Sequence, residues 1–225
     1  MSKPPQRRIG LTGGIATGKS TVGALLAARG LPVLDADQFA REALAPGSAG
    51  AREVLEHFGA QVRASAPGEG PEPAIDRGAV GRIVFADSGE RRWLEQLVPP
   101  LVRARFAAEL ERLRQEPVVV LMIPLLFEAE LEGLCSEVWL VDCSEEQQLQ
   151  RLMGREGLEE AEARRRIGAQ WPLARKRALA DVVIDNDSTP TALPGQLEAA
   201  LSGCGTVIQD RSGSGKWLHW RSCSP

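Results

Sequence analysis

The segment Gly13-Gly14-Ile15-Ala16-Thr17-Gly18-Lys19-Ser20 constrains this chain more than any other. It fits G-x-x-x-x-G-K-[ST], a loop whose backbone amides surround phosphate groups. Glycine lets the backbone curl until successive N–H groups converge on an anion. Lys19 adds a cation aimed at the β- and γ-phosphates, and Ser20 offers a hydroxyl to Mg²⁺. Thr21 continues the same turn. The pattern alone is moderately specific, so its setting matters. Arg8-Ile9-Gly10-Leu11-Thr12 reads as a short apolar strand entering the loop. Lys19 to Arg29 reads as a helix with Val22, Leu25 and Leu26 on one face. Strand, glycine loop and helix bring the loop amides and the positive end of a helix dipole to one point.

At 225 residues the chain can bury a sizeable core, as one domain with insertions or a core with small lobes. A net charge of −3 gives no reason to propose a nucleic-acid or membrane partner. The longest apolar run, Val118 to Phe127, falls far short of the ~20 residues needed to cross a bilayer. Met1-Ser2-Lys3-Pro4-Pro5 lacks the apolar stretch of a signal peptide, so the cytoplasm is the expected compartment. Cys135, Cys143, Cys204 and Cys223 match no metal or redox spacing and read as free thiols. His57, in an apparent helix from Arg52 to Phe58, reads as a surface residue.

Beyond the first helix, Pro32-Val33-Leu34-Asp35 reads as a second strand, with Asp35 and Asp37 at its C-terminal end. Helical periodicity then runs from Gln38 to Glu116, broken by an Ala/Pro/Gly/Glu-rich connection over 64–74. Helices are expected over Asp76–Phe85 and Arg91–Leu113, with Pro99-Pro100 breaking or kinking the second. Val118 to Ile123 suits a strand buried on both faces. Val138–Val141 and Val182–Ile184 read as two more strands, and Leu193–Leu201 as a last helix. Ser144-x-x-Gln147 is a capping box opening a helix to about Met153. The alternation predicts an α/β fold: a P-loop NTPase with a five-stranded parallel sheet covered by helices. Ligands of such sheets bind beyond the carboxyl ends of the strands, where the P-loop, Asp35/Asp37 and Pro124–Glu128 all fall.

The acid pair narrows the reaction. A phosphate acceptor needs no base to ionise it, whereas a hydroxyl acceptor gains from a carboxylate that takes its proton. Asp37 is the candidate base, and Asp35 the candidate to orient metal-bound water or the acceptor. The alternative is that Asp35 caps the next helix and Asp37 is a first-turn acid near its dipole. The third strand ends Ile123-Pro124 with no metal-holding acid, against a GTPase or motor ATPase. It suits a small kinase using Ser20 and one of the two aspartates for Mg²⁺. The segment Arg151–Arg177 is dense in arginine. Most of these belong on solvated helix faces. Arg155, between Gly154 and Gly157, is the candidate lid arginine that closes over the triphosphate, with the glycines as hinges.

Five segments resemble bacterial dephospho-CoA kinases. They are Ile9–Val22, Val33-Leu-Asp-Ala-Asp37, Ile123-Pro-Leu-Leu-Phe-Glu128, Gln148–Met153 and Lys176–Asn186. The resemblance spans about residues 8 to 200. It implies transfer of a phosphoryl group from ATP to the ribose 3′-hydroxyl of dephospho-CoA, the last step of coenzyme A synthesis. It also implies a core over 1–37 and 117–203, a helical acceptor-binding lobe over 38–116, and a lid over 153–172. Asp37 would be the base, Lys19 and Arg155 its catalytic partners, and Asn186 a neighbour of the adenine. Asp35, Asp37, Pro124, Leu125, Leu126 and Glu128 would line the acceptor site, with Ser20 and Asp35 at the metal. The family usually carries His-Pro where this chain has Pro99-Pro100, so an acceptor contact made by that imidazole is absent here. The segment 204–225 lacks periodicity and is expected to be disordered; its Gly213-Ser-Gly-Lys216 lacks a preceding strand and is no second P-loop. The rivals are a kinase acting on nucleosides or nucleotides and a nucleotide-dependent protein switch. A switch would need a metal-holding acid after the third strand.

Overall fold

A computed structural model describes residues 5–64, 72–187 and 190–203. In chain order the elements are β1 (Arg7–Gly13), α1 (Lys19–Ala27), β2 (Val33–Asp35), α2 (Ala36–Ala43), α3 (Ala49–Phe58), α4 (Arg77–Ala86) and α5 (Ser88–Arg112). Then follow β3 (Val118–Met122), β4 (Glu137–Asp142), α6 (Glu145–Glu156), α7 (Glu160–Gly168), α8 (Leu173–Arg177), β5 (Val182–Asp185) and α9 (Leu193–Ser202). The chain divides into two compact units, one of Met1–Leu34 with Arg114–Pro225 and one of Asp35–Leu113.

The first unit is built on a five-stranded parallel sheet of order β2-β3-β1-β4-β5. The glycine loop leaves its central strand. β1 pairs in parallel with β3 (Ile9 opposite Val120) and with β4 (Leu11 opposite Trp139). Alternating side chains feed both faces. Ile9, Leu11, Val120, Met122, Trp139, Val141 and Ile184 pack with Val22 and Leu26 of α1 and Leu193 and Leu197 of α9. Val119, Leu121, Val138 and Leu140 are equally inaccessible on the opposite face. Burial on both faces is why these strands read as unbroken apolar runs. The chain leaves β1 for β2 on one side, whereas the connection from β3 passes β1 to reach β4 on the other, so β1 ends at a switch in strand order, where such sheets bind ligands.

The second unit is helical and has its own core. Val54, Phe58, Val62, Ala79 and Val80 are buried among Ile83, Trp93, Leu94 and Leu97. Each helix starts on a short polar side chain: Asp35, Ser48, Asp76 and Asp87 accept hydrogen bonds from first-turn amides of α2 to α5. The connection expected over 64–74 is closed at its base by an Arg63–Ile75 bridge.

Pro99 and Pro100 do not break α5, which runs unbroken over 25 residues. The carbonyls their missing N–H groups leave without a helical donor belong to Glu95 and Gln96, both exposed, so water can satisfy them. The helix also starts earlier than Arg91, because Asp87 caps it with bonds to the amides of Gly89 and Glu90. The expected disorder of 204–225 lies outside the described residues. Among the described residues no helix is long and apolar enough to cross a membrane.

Candidate functional site

The glycine loop runs from the end of β1 into α1, whose N-cap is Gly18 at φ 93°. Ala16 also lies in the left-handed region, at φ 60°. For a residue with a Cβ that conformation costs about 1–2 kcal/mol. Two left-handed residues flanking Thr17 curl the chain into a concavity lined by amides, a nest for an anion. Lys19 and Ser20 are the first two residues of α1, so both follow directly on the nest, at the positive end of the helix dipole.

Side chains from three distant places support the loop. Thr17, fully buried, turns its hydroxyl to the Gly14 carbonyl at 3.0 Å. Gln148 on α6, also buried, donates Nε2 to the Ile15 carbonyl at 2.7 Å. Asn186, just after β5, donates Nδ2 to the Thr17 carbonyl at 2.7 Å. Gln170, between α7 and α8, accepts from the Ile15 amide at 2.8 Å. The packing explains two glycines. A Cβ on Gly14 would stand 2.5 Å from Gln148 Nε2, and one on Gly18 would stand 2.0 Å from Asn186 Nδ2.

Asn186 is itself fixed. Its amide donates to the Asp142 carbonyl at 2.8 Å, and its carbonyl accepts from Arg151 at 2.8 Å. Next to it, Asp187 accepts from the hydroxyl and the amide of Ser144, the N-cap of α6. Those hydrogen bonds hold the Asp187 carboxyl below its ordinary pKa. Cys143, buried beside this cap, has its thiol pushed up to about 11, chiefly by burial, so it stays protonated at neutral pH.

The loop after β3 divides its residues. Leu125 is exposed, whereas Leu126 is fully buried under Gly10, and its side chain faces the core. Pro124 gives its carbonyl to the Thr12 hydroxyl at 3.1 Å, tying this loop to the strand that feeds the glycine loop. Glu128 accepts from the Trp171 amide at 3.1 Å and pairs with the wholly buried Lys176 of α8 at 2.7 Å. The Arg175 guanidinium lies over the Trp171 ring, 3.2 Å from its centre. Glu128 is thus committed to fixing the segment Trp171–Lys176.

Asp35 ends β2 and caps α2, its Oδ1 accepting from the Asp37 amide at 2.9 Å. Asp37 sits in the first turn of α2. Among the described residues no group of three His, Cys, Asp or Glu side chains could hold a metal on its own. This donor set fits a hard cation such as Mg²⁺, which keeps several waters and binds through one or two protein oxygens plus the phosphates of its substrate.

Residues 7–191 match the model of the dephospho-CoA kinase family. A dephospho-CoA kinase of Parasynechococcus marenigrum is 60% identical over 89% of this chain and 96% of its own length. One from Gloeobacter violaceus is 51% identical over 87% of this chain and 92% of its own. The chain belongs to the dephospho-CoA kinase family. A crystal structure of a Thermus thermophilus protein, 37% identical, matches 89% of this family member and 99% of its own chain with a TM-score of 0.75. A Campylobacter jejuni dephospho-CoA kinase shares the fold at 24% identity and a TM-score of 0.64, over 87% of this chain and 95% of its own.

In this dephospho-CoA kinase family member, Arg155 lies in the last turn of α6, exposed, with its Nη2 2.6 Å from Glu156 Oε1. Of the two expected hinge glycines, Gly154 lies inside α6, and only Gly157 adopts a left-handed conformation, at φ 65°, as the helix C-cap. The arginines of α7 lie on solvated faces as expected: Arg164 pairs with Glu160, and Arg165 and Arg166 with Glu162. Gln148 and Gln170 escaped the sequence reading. The available signal was a glutamine on the apolar side of α6, four residues before Leu152, where a core residue is expected.

Proposed function

We propose that this chain is a dephospho-CoA kinase that uses ATP to phosphorylate the ribose 3′-hydroxyl of dephospho-CoA, giving CoA and ADP. The observation that carries this reading is the braced glycine loop in a chain whose residues 7–191 match that family. Its amides and Lys19 bind the β- and γ-phosphates and withdraw charge as the γ-phosphoryl group moves. Asp37 takes the proton of the acceptor hydroxyl. Asp35 has one oxygen committed to its cap, which leaves the other for the acceptor or for metal-bound water. Mg²⁺ would be held by the Ser20 hydroxyl, with Asp35 through water, and would neutralise phosphate charge. Arg155 swings from Glu156 to the transferring phosphoryl group when the lid closes. Leu125, exposed in the loop after β3, meets the acceptor, and Leu126 supports it from the core. Asn186 acts beneath the loop, near the nucleotide.

The test is a coupled ADP-release assay with dephospho-CoA beside a panel of nucleosides and nucleoside monophosphates. ADP release with dephospho-CoA alone is expected. Turnover with a nucleoside and none with dephospho-CoA would replace this acceptor with another. Asp37→Asn should lower kcat by roughly 10²–10⁴ with ATP affinity little changed. Near-normal turnover would remove Asp37 from the base role.

A further inference from the structure

Ile15 is gripped from both sides. Its carbonyl accepts from Gln148 on α6, and its amide donates to Gln170. These two glutamines stand at the two roots of the expected lid, 153–172: α6 leads into it, and Gln170 lies where it returns toward α8. A trans peptide points its C=O and the following N–H in opposite directions. Holding the Ile15 carbonyl against Gln148 therefore turns the Ala16 N–H the other way. Asn186 does the same to Gly18 by holding the Thr17 carbonyl. Ala16 and Gly18 are the two left-handed residues that make the loop concave. The amides facing the anion are thus aimed by side chains on the far side of the peptide planes.

We propose that Gln148 and Gln170 are positioning residues for phosphoryl transfer, setting the orientation of the Ile15 peptide groups so that the glycine loop is shaped for phosphate before the nucleotide arrives. Neither needs to touch a phosphate. Gln148 is the stronger element because it is buried, and its amide occupies the space over Gly14. Pre-formed amides lower the reorganisation cost of binding charge, which appears as phosphate affinity and as rate. Both contacts are made by residues at the two roots of the expected lid, so the shape of the glycine loop is tied to the lid's position.

The proposal rests on the ATP-binding reading, and wild-type titrations with ATP and inorganic tripolyphosphate test that reading separately. Gln148→Leu keeps the shape and removes the donor. It should raise the Kd for both ATP and tripolyphosphate about tenfold or more, while KM for dephospho-CoA at saturating ATP stays within about twofold. The ATP-induced ¹H–¹⁵N shift of the Ala16 amide should collapse. Gln148→Glu, whose carboxylate cannot donate to the Ile15 carbonyl, should weaken both ligands at least as much. Unchanged tripolyphosphate affinity in folded Gln148→Leu overturns the proposal, as does equal weakening of phosphate and acceptor binding. Should the Gln148 variants fail to fold, the decision passes to half-buried Gln170→Leu. A severalfold loss of tripolyphosphate affinity at unchanged acceptor KM supports the proposal, and no loss overturns it.

Discussion

The glycine loop and helix α7 are both short, both lie in the first unit, and are held in opposite ways. The loop is supported by buried side chains, Thr17, Gln148 and Asn186, each bonded to a loop carbonyl. Helix α7 buries only Ala163 and is laced by exposed pairs among Glu156, Glu160, Glu162, Arg164, Arg165 and Arg166. Exposed pairs contribute ~0–1 kcal/mol each and are screened by salt. A buried polar group without its partner costs more. The rigid support therefore lies under the glycine loop, and the replaceable support lies on the segment proposed to act as a lid.

Substitutions can break that contrast, beginning with the strongest. Lys176→Met should destabilise the protein by about 3–5 kcal/mol in urea unfolding, because it strands the Glu128 carboxylate in a site where Lys176 is wholly buried. The double variant Lys176→Met/Glu128→Leu should recover much of the loss; no recovery would show that the pair does more than neutralise itself. Gly18→Ala should cost about 1–3 kcal/mol, since its Cβ meets Asn186 Nδ2 and the position is left-handed. Asn186→Ala in the same chain should relieve the clash, and a full additive loss would refute it. The smallest effect belongs to α7. The Glu162 carboxyl is held below its ordinary pKa, first by the hydrogen bond from Arg166 and then by that from Arg165. Its favourable contribution is present above the unfolded pKa and is lost as pH falls through the lower folded one. Glu162→Gln should leave the melting temperature at pH 7 nearly unchanged, and a loss comparable to Lys176→Met would abolish the contrast.

The sheet was legible because strands buried on both faces leave continuous apolar runs, as at Val118–Met122. The glycine loop was legible because phosphate binding demands particular residue types at a fixed spacing. The break expected at Pro99-Pro100 did not occur, because local propensity says nothing about whether the abandoned carbonyls face water. The left-handed Ala16 carries no compositional mark, since alanine is a good helix former. Gln170 left no sequence signal, and Gln148 left only a polar residue on the apolar side of its helix. Their meaning lies in contacts with Ile15, set by the strand order rather than by any local pattern. The cap on α2 shows the remaining ambiguity: Asp35 satisfies a helix terminus, and the same residue type would serve a metal or an acceptor.

Gln148 reaches the loop across 133 residues of sequence and Asn186 across 169. An eight-residue Gly13–Ser20 graft on a foreign sheet would keep every letter of the signature and lose the props beneath it. Such a chimera would display the motif and hold phosphate poorly. Within this protein, a methyl group at position 14 would demand a shorter neighbour at 148, so position 14 is free to change only together with 148.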